Sequence, residues 1–260
     1  MVASCDTGLQ GGSSGVPTVT TCDTGLQGGS SGAPTVTTSQ LLGTWKTTRT
    51  YSDGDSTVFQ ITFYADGTWL ELRDTYDSSS SSHSYSAYKG TYSLDTSGML
   101  TRVETHSASL TQFALTGTET WWDSPANYIK KDPILIIGNQ LYIQTFMVAE
   151  GTPSGIVGTW SVTYVYPEDD STTGTYTPTY YKHVYIFSAN GEFSVKIYES
   201  TTGVFGLPSQ EKTATYTYSN GTLTMTMGSE SYSYKVTIYN GNILIMGDET
   251  SPSAAAYIKQ

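Results

Sequence analysis

The feature that most constrains the fold is a series of glycine-marked turns between short stretches of alternating polarity, occurring in the same order in two halves of the chain. Leu41-Leu42-Gly43-Thr44-Trp45 matches Ile156-Val157-Gly158-Thr159-Trp160, and Phe63-Tyr64-Ala65-Asp66-Gly67 matches Phe187-Ser188-Ala189-Asn190-Gly191. Thr91-Tyr92 followed by Gly98-Met99-Leu100 matches Thr215-Tyr216 followed by Gly221-Thr222-Leu223. Gly138-Asn139-Gln140-Leu141 matches Gly241-Asn242-Ile243-Leu244. Landmarks that keep their order while the intervening loops vary in length predict an internal duplication.

The pairs Asp66-Gly67, Asn190-Gly191, Asn220-Gly221 and Asn240-Gly241 accept the positive φ of type I′ turns, so each predicts a β-hairpin. Thr222-Leu223-Thr224-Met225-Thr226-Met227 alternates strictly, as do Phe193, Val195 and Ile197 against Ser194, Lys196 and Tyr198, giving one dry and one wet face. The run Ile134-Leu135-Ile136-Ile137 is apolar on both faces and leaves its orientation open. No stretch sustains a 3.6-residue apolar period. Each half holds about eight strands at a usual length of roughly five or six residues. That number favours closure, because a barrel removes the edges an open meander would leave exposed. The expected fold is therefore all-β, with two tandem antiparallel up-and-down β-barrels over residues 39–150 and 151–260. A sandwich is the alternative. The 21 tyrosines and 26 glycines, with only 13% of residues charged, suit strands and tight turns.

Residues 1–38 read differently. Residues 5–21 recur at 22–38 with one difference, Ala33 in place of Val16. Gly, Ser and Thr with single prolines offer little apolar area against the entropy of ordering, which predicts a flexible tail. The two cysteines, Cys5 and Cys22, both fall there, so no disulfide staples the barrels and thiol chemistry is excluded from them. Val2-Ala3-Ser4-Cys5 resembles the lipobox of bacterial lipoproteins, although the basic and apolar segments that precede it in that family are missing. The resemblance implies lipidation at Cys5, a bacterial cell-envelope location, the tail as spacer, and membrane contact only through the lipid. A chance Ala-Ser-Cys is the alternative. Cys22, after Val19-Thr20-Thr21, matches less well. No run of roughly 18 apolar residues is present to span a membrane as a helix.

A formal net charge of -11 opposes binding to phosphate backbones, so nucleic acid is not an expected partner. The densest acidic run, Glu168-Asp169-Asp170, reads as a solvated loop. His83, His106 and His183 lack a second histidine at metal-ligand spacing. Glu71, Glu104 and Glu119 lie on strands with no acid-base pairing visible in the sequence. Neither enzyme activity, nor a cofactor, nor a metal is expected.

A Gly-x-Trp opening a strand and followed by serial hairpins resembles the lipocalin (calycin) superfamily, most closely the lipocalin-like domains of bacterial envelope lipoproteins. The resemblance covers residues 41–150 and 156–260. It implies that Trp45 and Trp160 close the barrel bases, with Lys259 of the final strand as the cation over Trp160. In the first half no basic residue follows the stretch 140–148, and Lys130 precedes it, so Trp45 is expected to lack such a partner. Candidate ligand-lining or barrel-closing residues are Trp45, Trp69, Trp121, Trp122, Trp160, Phe187 and Lys259. Trp121 and Trp122 are adjacent, so one ring should point out of its barrel.

Eight-stranded barrels are just wide enough to hold a small ligand or to be filled by their own side chains. Two functions follow. One is a monomeric, non-catalytic carrier of a small apolar or aromatic molecule. The other is a structural or interaction module with solid barrels, whose Tyr-rich surface contacts proteins or glycans.

Overall fold

The four Asp-Gly and Asn-Gly pairs each join two antiparallel strands in the structure, a computed structural model that describes residues 35–51, 53–126, 128–170, 175–248 and 256–260. Cys5, Cys22 and nearly all of the 5–38 repeat lie outside the described residues. The turns are of two kinds. Asn220-Gly221 and Asn240-Gly241 have positive φ at both residues, as a type I′ turn requires. At Asp66-Gly67 and Asn190-Gly191 only the glycine does, because these loops are longer. Tyr64 N–H donates to Thr68 O, and the Asp66 carboxylate accepts from the Thr68 backbone and hydroxyl.

A one-turn helix, α1 (Thr38–Leu41), capped by Thr37 and Gln40, leads into the sheet. β1 (Gly43–Thr50), β2 (Ser56–Phe63), β3 (Thr68–Asp77), β4 (Ser82–Leu94) and β5 (Met99–Leu110) form successive antiparallel pairs. The two-residue β6 (Trp122–Asp123) pairs with one end of β5, and β7 (Ile129–Ile137) pairs with the other and then with β8 (Gln140–Ile143). β9 (Phe146–Ser154) does not continue this meander. It forms a hairpin with β10 (Val157–Asp170), followed by β11 (Thr175–Phe187), β12 (Glu192–Ser200), β13 (Gln210–Ser219), β14 (Thr222–Met227), β15 (Glu230–Tyr239) and β16 (Ile243–Asp248). β16 returns to β9 and closes a ring. The last strand, β17 (Ala256–Lys259), pairs with β8 on one side and β1 on the other, closing a second ring.

Two antiparallel rings therefore result: ring 1 from β1–β5, β7, β8 and β17, and ring 2 from β9–β16. Their pairing does not follow a boundary at residue 150. Residues 146–150 belong to ring 2, and residues 256–259 belong to ring 1. Connection length accounts for this. Only Gly155 and Ile156 separate β9 from β10, and so short a link makes sequence neighbours pair. The stretch 249–255 between β16 and β17 is long enough to let β17 pair elsewhere.

Three apolar clusters hold the described residues together. Inside ring 1, Trp45, Ile61, Phe63, Trp69, Leu100, Ile134, Leu141 and Tyr257 form a floor beneath which Val36 and Leu41 pack. Inside ring 2 the floor is Trp160, Phe187, Phe193, Leu223, Val236, Leu244, Met147 and Ile156. The third cluster, Leu135, Tyr142, Phe146, Ile243, Ile245 and Ala256, lies on the opposite faces of β7, β8, β9, β16 and β17 and joins the rings. This explains the two-faced run at Ile134–Ile137, since Ile134 faces the ring 1 core while Leu135 faces the junction. At roughly 1.5–3 kcal/mol for each fully buried large apolar side chain, these clusters are the main stabilising contribution.

Candidate functional site

The rings place matching residues at matching positions. Trp45 Nε1 donates to Leu41 O at 2.7 Å, and Trp160 Nε1 donates to Ile156 O at 2.8 Å. Tyr92 Oη donates to Tyr64 O at 2.9 Å with its ring edge-on to Phe63, and Tyr216 Oη donates to Ser188 O at 2.8 Å with its ring edge-on to Phe187. Strand register extends the match through both interiors. Trp45 pairs with Ile61 and Ile61 with Glu71, whereas Trp160 pairs with Tyr185 and Tyr185 with Val195.

Above the floors this register sets two chemistries on one scaffold. The inward positions of ring 1 carry Glu71, Arg73, Arg102, Glu104, Lys130 and Asp132; the same positions of ring 2 carry Val195, Ile197, Met225, Met227, Tyr232 and Tyr234. Arg49, four residues after Trp45, corresponds likewise to Tyr164.

Ring 1 is filled. Arg102 donates to Asp132 at 2.7 Å and reaches Glu71 at 3.5 Å, and Arg73 donates to Glu71 at 2.5 Å. Glu71 and Asp132 are buried. Burial alone would push the Glu71 carboxyl up, but the Arg73 and Arg102 guanidiniums outweigh it and hold the carboxyl below its ordinary range. Glu104 goes the other way: burial raises its pKa, and the Ser124 hydroxyl donating at 2.7 Å only partly offsets this. Burial and then repulsion from Arg102 push Lys130 down. Arg73 stacks on Tyr88, 4.2 Å from the ring centroid. What remains is a cavity of about 10 Å³, room for one water, lined by Trp69, Glu71, Arg73, Arg102, Glu104, Tyr128 and Lys130.

In ring 2 the floor is buried, and the inward-facing Val162, Tyr185, Val195, Met225, Tyr234 and Met246 above it are half-buried. Next to them His183 sits between the hydroxyls of Tyr164 (3.2 Å) and Tyr185 (3.4 Å). Burial pushes His183 down, favouring the neutral imidazole. At the rim, Tyr181 donates to Glu168 at 2.7 Å beside an open cleft shared with Thr179, Glu199, Ser200 and Thr201.

Of the residues singled out from sequence, Trp45, Trp69, Trp160 and Phe187 are buried floor residues. Trp121 and Trp122 belong to neither interior: Trp122 is exposed on β6, and Lys89 Nζ lies 3.9 Å from the Trp121 ring. Lys259 does not cover Trp160. Its Nζ lies 5.1 Å from the Trp45 ring, in register with Trp45, because β17 closes ring 1. Trp45 thus has the basic partner its own half lacks, and the residue opposite Trp160 is Ala149. Gly43 serves this contact: with φ of +109° it keeps the backbone in a form few side chains allow, directly under the Lys259 stem.

The ion network of ring 1 was missed as a group, although its signal is present. Counting in twos from the floor residues Trp69, Leu100 and Ile134 reaches Glu71 and Arg73, Arg102 and Glu104, Asp132 and Lys130. Charges in phase with the apolar face point inward, and three strands repeat the pattern with opposite signs two residues apart. Among the described residues, no group of three or more His, Cys, Asp or Glu side chains is placed to hold a metal ion. Nor is any helix there long and apolar enough to cross a membrane.

A closed antiparallel ring of eight strands with a buried tryptophan in its floor defines a small up-and-down β-barrel. Residues 156–246 match the family model of the lipocalin-like domain, a span that covers the floor of ring 2 from Ile156 and all of its strands except β9. No curated protein and no solved structure matches the chain.

Proposed function

We propose that this is a non-catalytic binding protein that takes a small apolar or aromatic ligand in the cup of ring 2. The observation that carries the reading is the half-buried apolar and tyrosyl inward face of ring 2 above a buried floor, where ring 1 carries charges, on a lipocalin-like domain. Apolar walls that water still reaches gain free energy when a ligand displaces that water. Tyr164, Tyr185 and His183 supply the few polar atoms that orient it. The matched registers of the rings support reading the two halves as copies of one domain, of which one kept an apolar interior. Cys5 would hold the protein at a bacterial envelope through a lipid, with the repeat as spacer.

Native mass spectrometry of the intact protein should reveal a retained small molecule, or uptake of an apolar fluorescent dye once it is stripped. Met225→Trp, which fills the cup from its wall, should abolish uptake while leaving the far-ultraviolet circular dichroism unchanged. Dye uptake that persists in Met225→Trp would overturn the assignment to ring 2. The second reading, a solid interaction module, is favoured for ring 1 by its filled interior, and absence of any small-molecule uptake by the wild type would extend it to the whole chain. Anchoring is tested separately, by whether Cys5→Ala moves the protein from the membrane to the soluble fraction of a bacterial host that adds the lipid.

A further inference from the structure

The open cleft at the rim of ring 2 has a volume of about 630 Å³, the size of a small organic molecule, and is lined by Glu168, Thr179, Tyr181, Glu199, Ser200 and Thr201. It continues the inward face of the ring. Counting in twos along β10 from the floor residue Trp160 reaches Val162, Tyr164 and, beyond Tyr166, Glu168; along β12 from Phe193 it reaches Val195, Ile197 and Glu199. Between them β11 brings Tyr185, His183, Tyr181 and Thr179 to the same face, with Tyr181 opposite both Tyr164 and Glu199 and its ring stacked on Tyr164 at 5.3 Å. An apolar and tyrosyl wall thus ends in two carboxylates. Among the described residues both are held by hydroxyls and neither by a cation: Tyr181 Oη donates to Glu168 at 2.7 Å, and Ser209 Oγ to Glu199 at 3.2 Å. The lysines of these strands have the opposite phase and are spent elsewhere, Lys182 on Glu150 at 2.9 Å and Lys196 on Glu211 at 3.4 Å. Lys212 has the inward phase but pairs with Val195, four residues short of Glu199. Burial, then Glu168, then Glu199 push the Tyr181 pKa up, so the tyrosine between the two charges stays protonated.

We propose that the ligand of ring 2 is an organic cation, whose ammonium group sits in the rim cleft between Glu168 and Glu199 while its apolar part lies against Tyr164 and Tyr185 below. This rests on the reading of ring 2 as the binding barrel and names the chemical class that barrel takes. Two like charges on either side of one tyrosine repel each other, and an ammonium between them turns that repulsion into two attractions. The hydroxyls of Thr179, Ser200 and Thr201 offer it further acceptors. A bare metal ion fits less well. Two carboxylates across a wide cleft are too few ligands to strip its water, and no group of three or more His, Cys, Asp or Glu side chains is gathered among the described residues. Anions meet only repulsion at this rim.

The test titrates the full chain at neutral pH and constant ionic strength with three probes of one shape: 2-phenylethylamine, which is protonated, 2-phenylethanol, which is neutral, and phenylacetate, which is an anion. Calorimetry should rank the amine first, the alcohol about fivefold weaker and phenylacetate weakest. Glu168→Gln, which keeps an acceptor for the Tyr181 hydroxyl, and Glu199→Gln should each weaken the amine about fivefold, the loss of one partly exposed charge contact, and leave the alcohol unchanged. Equal affinity for amine and alcohol, no binding of any probe, or an amine affinity indifferent to both substitutions would overturn the proposal. Met225→Trp separates it from the reading beneath it. Loss of amine and alcohol together in Met225→Trp supports both. Amine binding that survives Met225→Trp and still depends on Glu168 keeps the cation site and removes the ligand from the interior. Amine and alcohol bound equally by the wild type, and both lost in Met225→Trp, keep the interior and remove the cation site.

Discussion

Arg102 binds two buried carboxylates at once, so it decides whether ring 1 tolerates its own charges. Arg102→Met would install the residue that ring 2 has at the same place, but it would strand Glu71 and Asp132 without their guanidinium. The expected loss is about 3–5 kcal/mol, read as a lower urea midpoint, because breaking a buried pair leaves an unpaired charge behind. The pH dependence follows from the same residues. Glu71 titrates below its ordinary 4.5 in the folded chain, so its contribution is complete above that value and is lost as pH falls through the depressed folded pKa. Glu104 has the opposite sign: its raised folded pKa gives stability that is present in acid and lost as pH rises through that value. Glu71→Gln should therefore flatten the decline in stability below about pH 4.5, whereas Glu104→Gln should remove a small gain in stability that accrues as pH falls toward 4.5 from the raised folded value. Urea titrations at a series of acidic pH values separate the two. Single residues were partly readable in advance. Trp45 and Trp160 of the two Gly-x-Trp motifs are buried, each with its Nε1–H on the carbonyl of a residue four before it, as a buried indole needs. Lys259, expected over Trp160, lies over Trp45, since a residue's type does not tell which ring its strand will join.

At the level of strands, β9 and β17 are the pieces on which closure depends. Each is the eighth strand of its ring, and each fits between the first and seventh by register, Lys259 opposite Trp45 and Ala149 opposite Trp160. Deleting residues 256–260 should expose the edges of β1 and β8 while β9 and β16 remain paired. Hydrogen exchange should then accelerate in ring 1 amides and stay slow in ring 2. A chain in which both rings lose protection equally would contradict the pairing. The milder Lys259→Met should cost about 0.5–1 kcal/mol, the value of an exposed cation–π contact, and alter the emission of Trp45. The hairpins themselves were legible from Asp66-Gly67, Asn190-Gly191, Asn220-Gly221 and Asn240-Gly241, because local turn chemistry does not depend on distant partners. The pairing of β17 was not, because nothing in Ala256-Tyr257-Ile258-Lys259 distinguishes the β8 edge from the β16 edge. Only the contrast between the Gly155-Ile156 connection and the longer 249–255 stretch pointed that way.

For the molecule as a whole, the two rings are unequal in chain continuity. Ring 2 is built from one uninterrupted segment, 146–248, whereas ring 1 needs 43–143 together with 256–259. A fragment of residues 145–248 should fold alone with a cooperative thermal transition, and a fragment of 151–260, which follows the boundary expected from the sequence, should not. Adding a peptide of residues 249–260 to a fragment of 35–143 should restore the Trp45 environment; circular dichroism and tryptophan emission would report each case. The all-β architecture and strand number were readable from alternation and turns. The contrast between the interiors was not, because it depends on which charged residues share a face across three strands rather than on any one of them. Continuity also sets an order of events during synthesis. Ring 2 has all its strands once residue 248 has left the ribosome, and domains fold as units while synthesis continues. The first half emerges earlier and must wait for residues 256–259. Until then the β1 and β8 edges and the Trp45 floor stand open, so the ring begun first is the one completed last, and its unpaired edges are exposed to aggregation in the interval.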